Sequence, residues 1–465
     1  MKRPGLAPRS GAPRTAPAAS DRAGSWRPLR TVVAVALAVA GLGGVRAALG
    51  QTPVANEDES KVPSYTLPDP LIRSDGDRVT TAREWRKVRR PELLEIFREQ
   101  VYGHSPGRPA SMRFEVRQNE PEAMGGKATR REVRIWFTDR RQDLWMDLLV
   151  YIPNGAGKRV PAFLGLNFEG NHSVTLDPAV TLSTRWFRND EKRGRVNNRA
   201  TEAARGTEAS RWSIDRLIAG GYAVATAYYG DIEPDHAEGW RQGVRGFFPV
   251  RSDGRVEVVE GGVDPGHSDW GAIGAWAWGL SRAMDYLETD PAVDARKVAV
   301  MGHSRLGKTA LWAGAQDERF AIVISNNSGE GGAALARRRF GETTRRINTS
   351  FPHWFCTHFK RYNDREDDLP VDQHELLALS APRPLYVASA EKDLWADPRG
   401  EFLSAVGADP VYRLLRTPGL GVSVFPALNQ PVGHTIGYHV RSGVHDVTDY
   451  DWERYIQFAN RHFRR

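Results

Sequence analysis

At 465 residues, with 40% hydrophobic and 26% charged residues, the chain has the length for a large α/β domain and the composition of an ordinary globular enzyme. Its formal charge of +8 is concentrated at one end: residues 1–50 carry eight Lys and Arg against one Asp, so the remainder is close to neutral. That excludes a basic nucleic-acid surface on the folded part, and a single cysteine, Cys356, excludes a disulfide framework and a thiolate metal cluster.

Residues 1–30 are rich in Arg, Pro and Ala and show no core-forming pattern. Thr31–Val45 is a compact apolar run, followed by Ala48-Leu49-Gly50 ahead of Gln51. Together these are the parts of a secretory signal peptide with a long n-region. The run is shorter than the roughly 20 apolar residues that a membrane span needs. The expectation is export to the periplasm or outside of a bacterium, with no membrane attachment after processing; an uncleaved anchor is the alternative. Stability must then come from the core, since one cysteine cannot form an internal disulfide.

Glu57–Asp77 is polar and proline-bearing and reads as part of a surface tether over 51–81. Ala82–Tyr102 has helical periodicity, with Pro91 at the first turn of a second helix. Arg131–Phe137 and Leu144–Pro153 alternate (Val133, Ile135, Phe137; Leu148, Val150, Ile152), which predicts antiparallel strands at a sheet edge. Val160–Asn167 is an apolar strand, with Phe168-Glu169-Gly170-Asn171-His172 as the loop behind it. Asp177–Trp212 is polar and Arg-rich, hence a long surface insertion. A short helix over Ile214–Ala219, closed by Gly220-Gly221, leads to a buried strand over Tyr222–Tyr228. Asp231–Asp269 is a second long loop, and Trp270–Leu287 a helix whose tryptophans are core packing. Phe320–Ser325 and Pro384–Ser389 are further strands, Gly341–Pro370 is loop-like, Leu420–Phe425 is the expected last strand, and Tyr450–Phe463 is the terminal helix. Strands alternating with helices predict a mostly parallel sheet covered on both faces, in one domain over 82–465.

Within that alternation one stretch carries chemistry. Val298–Met301 is a buried-strand run, Gly302-His303-Ser304-Arg305-Leu306-Gly307 a tight turn, and Lys308–Ala315 a helix. Strand, sharp turn with a central serine, then helix is the nucleophile elbow of the α/β-hydrolase fold, which sets the serine Oγ at a helix N-terminus where an oxyanion is favoured. The spacing here is G-x-S-x-x-G, because Leu306 stands where the second glycine usually falls.

A serine needs a base to take its proton and an acid to orient that base, in the chain order Ser, Asp/Glu, His. Asp393, just beyond the strand Pro384–Ser389, meets the requirement for the acid, with Glu391 and Asp397 as near rivals. His434, His439 and His445 all follow that strand, and His445 sits nearest the terminal helix. The sequence has no H-E-x-x-H pattern, and no metal or cofactor is expected. Cys356, in a run of aromatics, reads as a small buried residue.

The stretch Gly302–Lys308, together with Ser325–Gly332, Phe340-Gly341-Glu342-Thr343, Asp393-Leu394-Trp395 and Gly443-Val444-His445-Asp446, resembles the bacterial glucuronoyl esterases of carbohydrate esterase family 15. The likeness runs from about Leu93 to the C-terminus. It implies a serine carboxylic-ester hydrolase that cleaves esters between (4-O-methyl-)glucuronic acid on xylan and lignin alcohols. On that reading Ser304 is the nucleophile, His445 the base, Asp393 the acid and Arg305 the oxyanion-binding arginine. Lys308, Glu342 and Trp395 then hold the sugar. Asn327 stands where fungal members place a catalytic Glu, which leaves Asp393 to supply the charge; Glu330, three residues on, is not assigned that role. The expected partners are glucuronoxylan and lignin–carbohydrate esters, and the expected state is a monomer. An acetyl-xylan or feruloyl esterase on the same fold is the alternative enzyme, and an inactive hydrolase-fold carbohydrate-binding protein the alternative class.

Overall fold

The computed structural model describes residues 55–248 and 270–463, all within the unit Thr52–Arg465. The expected signal peptide lies outside the described residues, as does the stretch 249–269 of the second long loop. The strands are β1 (Arg113–Ala123), β2 (Ala128–Trp136), β3 (Trp145–Pro153), β4 (Val160–Asn167), the short pair β5 (Arg195–Val196) and β6 (Arg199–Ala200), β7 (Ala223–Tyr228), β8 (Val293–His303), β9 (Ile322–Asn326), β10 (Leu385–Ala390), β11 (Val432–Gly433) and β12 (Ile436–Arg441). All but β5 and β6 join one sheet in the order β1-β2-β3-β7-β4-β8-β9-β10-β12-β11. From β7 through β12 neighbouring strands are parallel, and β1, β2 and β3 form an antiparallel edge. The helices that matter here are α1 (Arg90–Phe97), α2 (Ile214–Ala219), α3 (Ala272–Leu287), α4 (Arg305–Gln316), α5 (Gln373–Ala378), α6 (Pro398–Leu414) and α7 (Asp449–Phe463). This is the α/β-hydrolase arrangement.

Both faces of the sheet are buried, and the period-2 direction of strand side chains divides the core. On β3, Leu148, Val150 and Ile152 enter one cluster while Leu149 and Tyr151 enter the other. Trp276 and Trp278 of α3 and Trp312 of α4 are packed into the first cluster. Cys356 is buried there too. The helix over Ala82–Tyr102 runs on through α and π turns, and Pro91 occupies the first turn of α1, where a missing N–H costs little.

Four segments differ from the sequence reading, each for a physical reason. β1 is exposed along almost its whole length, so it carries no alternation to detect. α6 holds Gly400, Gly407 and an internal Pro410, which weaken any helical signal. A short helix, Thr344–Ser350, interrupts the predicted loop and is capped by Thr343. Leu420–Phe425 is not a strand: Val424 is 79% exposed, and the last parallel strand is β12. β12 was hidden because it buries His439 and Arg441, which look out of place in a core strand. Asp451 of α7 satisfies both, at 3.0 Å from His439 Nε2 and 2.8 Å from Arg441 Nε.

Residues 55–81 lie along the surface and are held at several points. Asn56 O accepts from Gly341 N at 2.7 Å, Pro68 O lies 2.8 Å from His374 Nε2, and Pro70 O accepts from Arg89 Nε at 3.1 Å. Val79 is buried in the first core cluster.

Candidate active site

The parallel strands end on one side of the sheet, so the loops after β4, β7, β8, β9, β10 and β12 gather there. β8 ends at His303 and α4 begins at Arg305, so Ser304 alone makes the turn. It has φ 57° and ψ −130°, a conformation that costs an L-residue on the order of 1–3 kcal/mol. A Cβ on Gly302 would lie 1.8 Å from Leu306 O, so strand and helix meet this closely only with glycine there. The displaced second glycine has its own reason: a Cβ on Gly307 would already press on Ser328 and on the carbonyls of Gly302 and Asn326. Ser304 N donates to Asn326 O at 2.9 Å, which ties the turn to β9. α4 therefore starts beside the serine, with its first N–H groups at the positive end of the helix.

Ser304, Arg305 and His445 line one cavity of about 280 Å3, with Phe168, Tyr228 and Tyr229 among the residues that wall it. His445 stands on the loop after β12, its side chain 39% exposed, and its Nδ1 is 2.6 Å from Oδ2 of the buried Asp393 on the loop after β10. With a carboxylate as partner, Nδ1 carries the proton and Nε2 keeps the lone pair that a base needs. Asn327 Nδ2 donates to the same Oδ2 at 2.7 Å. Asn327 is thus a neutral donor to the carboxylate that faces His445.

The rivals are engaged elsewhere. Asp397 caps α6 and pairs with Arg338 Nε at 2.7 Å. His439 is buried against Asp451, and His434 precedes β12, at the far end of that strand. Glu391 makes no bond to a histidine among the described residues. Glu330 is buried and accepts from Thr344 Oγ1 at 2.7 Å, and burial pushes its carboxyl well above the usual range.

Arg305 is paired with Asp235 and lies over the Trp354 ring, 4.7 Å from its centroid. Asp235 also accepts from His353 Nε2 at 2.8 Å, Trp354 Nε1 at 2.7 Å and Tyr229 Oη at 3.1 Å. Burial pushes the Asp235 carboxyl up, but the His353 hydrogen bond and the Arg305 guanidinium outweigh it and hold it well below the usual carboxylate range. A fixed anion therefore fixes the guanidinium at the cavity wall. The sequence reading missed Asp235, whose only signal was an acid in a polar loop.

Lys308 lies one turn along α4, buried, with Nζ donating to Ser328 O at 2.6 Å and to Glu342 Oε2 at 2.9 Å. Glu342 N donates to Trp395 O at 2.9 Å, and Trp395 is 41% exposed. These three residues do not line the Ser304 cavity. They form a group of their own, joined to it through Trp354, whose ring faces both Arg305 and Lys308.

The Arg-rich insertion contributes Trp186, Arg188, Arg195 and Arg211 to the cavity wall and is bound in by ion pairs. Arg195 NH1 meets Glu169 Oε2 at 2.5 Å, Arg193 NH1 meets Glu208 Oε1 at 2.7 Å, and Arg211 joins Glu208 at 2.9 Å to Asp446, beside His445, at 2.6 Å. Burial pushes the Glu169 carboxyl up to about 7, against the pull of Arg195. In the sequence this segment reads as surface, because its charges face one another only in the fold.

His172, at the end of the loop after β4, is buried with both ring nitrogens unpartnered. Burial, with Arg205 nearby, lowers it from 6.5 to about 4. Between those values the unfolded chain binds a proton that the folded chain refuses, so stability falls as the pH drops from 6.5 toward 4. The full loss from this group is about 3 kcal/mol at most, with none added below the folded value. Urea unfolding of His172→Leu across that window should show a flatter decline; a decline identical to wild type would place the acid sensitivity elsewhere.

Residues 265–416 match the family model described as glucuronyl esterase, fungi. A carbohydrate esterase from an unknown prokaryotic organism is 52% identical over 407 residues, spanning 88% of this chain and 92% of that one. The structure is similar to that of a glucuronoyl esterase from Solibacter usitatus, with a TM-score of 0.79 and 51% identity over 87% of this chain and 100% of that one. It is equally similar, at 0.79 and 50% identity over 88% and 100%, to a promiscuous CE15 esterase from a marine bacterial metagenome. With the hydrolase fold, the serine turn and the His445–Asp393 pair already in place, these likenesses are decisive: the chain belongs to carbohydrate esterase family 15, the glucuronoyl esterases, and is a carboxylic ester hydrolase.

Proposed function

We propose that this enzyme cleaves esters joining (4-O-methyl-)glucuronic acid on xylan to lignin alcohols, through an acyl-enzyme on Ser304. The observation that carries the reading is the His445 Nδ1–Asp393 Oδ2 contact of 2.6 Å beside Ser304 and Arg305 in one cavity. His445 Nε2 takes the Ser304 proton as Oγ attacks the ester carbonyl, and the imidazolium is stabilised by Asp393. The carbonyl oxygen becomes an oxyanion, met by the N–H groups at the start of α4 and by the Arg305 guanidinium. His445 then returns the proton to the departing alcohol, and water repeats the sequence on the acyl-enzyme. The signal peptide expected over residues 1–50 supports a periplasmic or extracellular setting for this chemistry.

The uronate is assigned to the Lys308, Glu342 and Trp395 group. A lysine donor, a carboxylate acceptor and an indole face suit a pyranose ring, and Nζ has a third donor beyond its two protein contacts. A panel of benzyl glucuronate, methyl glucuronate, methyl galacturonate, acetylated xylan and methyl ferulate tests the assignment. Inverting the C4 hydroxyl strands a polar partner, so glucuronate should be preferred over galacturonate by roughly 5–150-fold in kcat/KM. Lys308→Ala should shrink that preference. Equal rates on the two uronates, or faster turnover of acetylated xylan or ferulate, would defeat it.

A further inference from the structure

His303 precedes Ser304, lines the same cavity and places its ring centroid 4.5 Å from that of His445. Its Nδ1 is 2.7 Å from Asn326 Oδ1. What lies behind Asn326 decides which atom carries the hydrogen. Asn326 Nδ2 is 3.2 Å from Asp451 Oδ1 and 2.8 Å from Tyr455 Oη. Burial pushes the Asp451 carboxyl up, but His439 and Arg441 outweigh it and keep it ionised, hence an acceptor only. The Asn326 amide therefore turns its NH2 toward Asp451 and its carbonyl toward His303. The imidazole must donate from Nδ1, and its Nε2 is left as a lone pair with no protein partner among the described residues. Burial, with His445 and Arg211 close by, keeps this ring neutral.

Deacylation has a use for such an acceptor. A water that gives one proton to His445 Nε2 still carries a second, and a second hydrogen bond fixes where its lone pair points. The two carboxylates on the cavity wall are committed: Asp235 to Arg305, His353, Trp354 and Tyr229, and Glu169 to its ion pair with Arg195. We propose that His303 Nε2 accepts a hydrogen bond from the hydrolytic water and so orients it against the acyl carbon. The proposal rests on the acyl-enzyme reading above. In the step, the water oxygen bonds to the acyl carbon as one proton passes to His445 Nε2 and the carbonyl pair moves to the oxyanion. The carbon–Oγ bond then breaks, Ser304 Oγ recovers that proton, and the second proton stays on the new acid. His303 is neither protonated nor consumed.

Methanol separates this role from a structural one, because it carries a single hydroxyl proton, which goes to His445. With a glucuronate ester in water–methanol mixtures, the products are the acid and the methyl ester. His303→Asn keeps a donor near the Nδ1 position for Asn326 and deletes Nε2. It should raise the methyl ester to acid ratio roughly tenfold over wild type, the effect of one lost hydrogen bond on the water route alone. First-turnover release of alcohol should stay within about threefold, since acylation uses no water. His303→Gln, whose amide oxygen reaches toward the Nε2 position, should restore the ratio in part, and His303→Ala should repeat the Asn result if that variant does not fold. A wild-type ratio in His303→Asn or His303→Ala, at any overall rate, would overturn the proposal. A wild-type ratio that changes with the leaving alcohol would overturn the acyl-enzyme itself, and the proposal with it.

Discussion

Replacing Ser304 or His445 with alanine is expected to lower kcat on a glucuronate ester by about 10³-fold or more, with little change in thermal midpoint. Neither side chain holds the fold together. Ser304 contributes to packing mainly through its backbone, whose N–H reaches Asn326 O, and alanine keeps that bond. His445 is 39% exposed on a loop that Arg441 secures independently, through the carbonyls of Val444 at 3.1 Å and Asp446 at 2.5 Å. Because the two act on one proton, the double variant should be about as slow as either single one. Steady-state turnover by either purified variant at a near-normal rate would remove that residue from the reaction.

Asp393→Asn should be almost as damaging, at roughly 10³–10⁴-fold in kcat. His445 Nδ1 and Asn327 Nδ2 both donate to one oxygen of Asp393. An amide there offers no charge to the imidazolium, and if it turns its NH2 toward the ring it forces the wrong tautomer. Glu330→Gln should stay within about threefold, because the carboxyl is engaged by Thr344 rather than by His445 and an amide of the same shape keeps an acceptor for that hydroxyl. Kinetics of the two variants side by side decide the matter; a severe Glu330→Gln with a mild Asp393→Asn would move the acid to the loop after β9.

The parts of this molecule legible in its sequence are those whose signal is local. The elbow was readable because strand, serine turn and helix are contiguous over Val298–Gln316, and the alternation on β2 and β3 announced their antiparallel pairing. Ser304, Asp393 and His445 could be ordered because they follow the ends of β8, β10 and β12 in turn along the chain. What stayed hidden depends on partners far apart in the chain. Asp235 becomes an anchor only when Arg305, His353 and Trp354 surround it. β12 reads as too polar until Asp451 is packed against His439 and Arg441. The insertion looked like solvated surface because Arg211 finds Asp446 across more than two hundred residues. Lys308 and Glu342 were foreseen together through resemblance, and the fold pairs them in a buried contact separate from the Ser304 cavity.

The central claim is that Ser304 is the nucleophile for glucuronate esters, and stoichiometric labelling with an organofluorophosphate reads it most directly. One phosphoryl group should appear on the Ser304 peptide, glucuronate-ester turnover should fall in proportion to labelling, and Ser304→Ala should take up no label. Modification at a different residue, or full turnover by protein whose Ser304 is labelled, would contradict it.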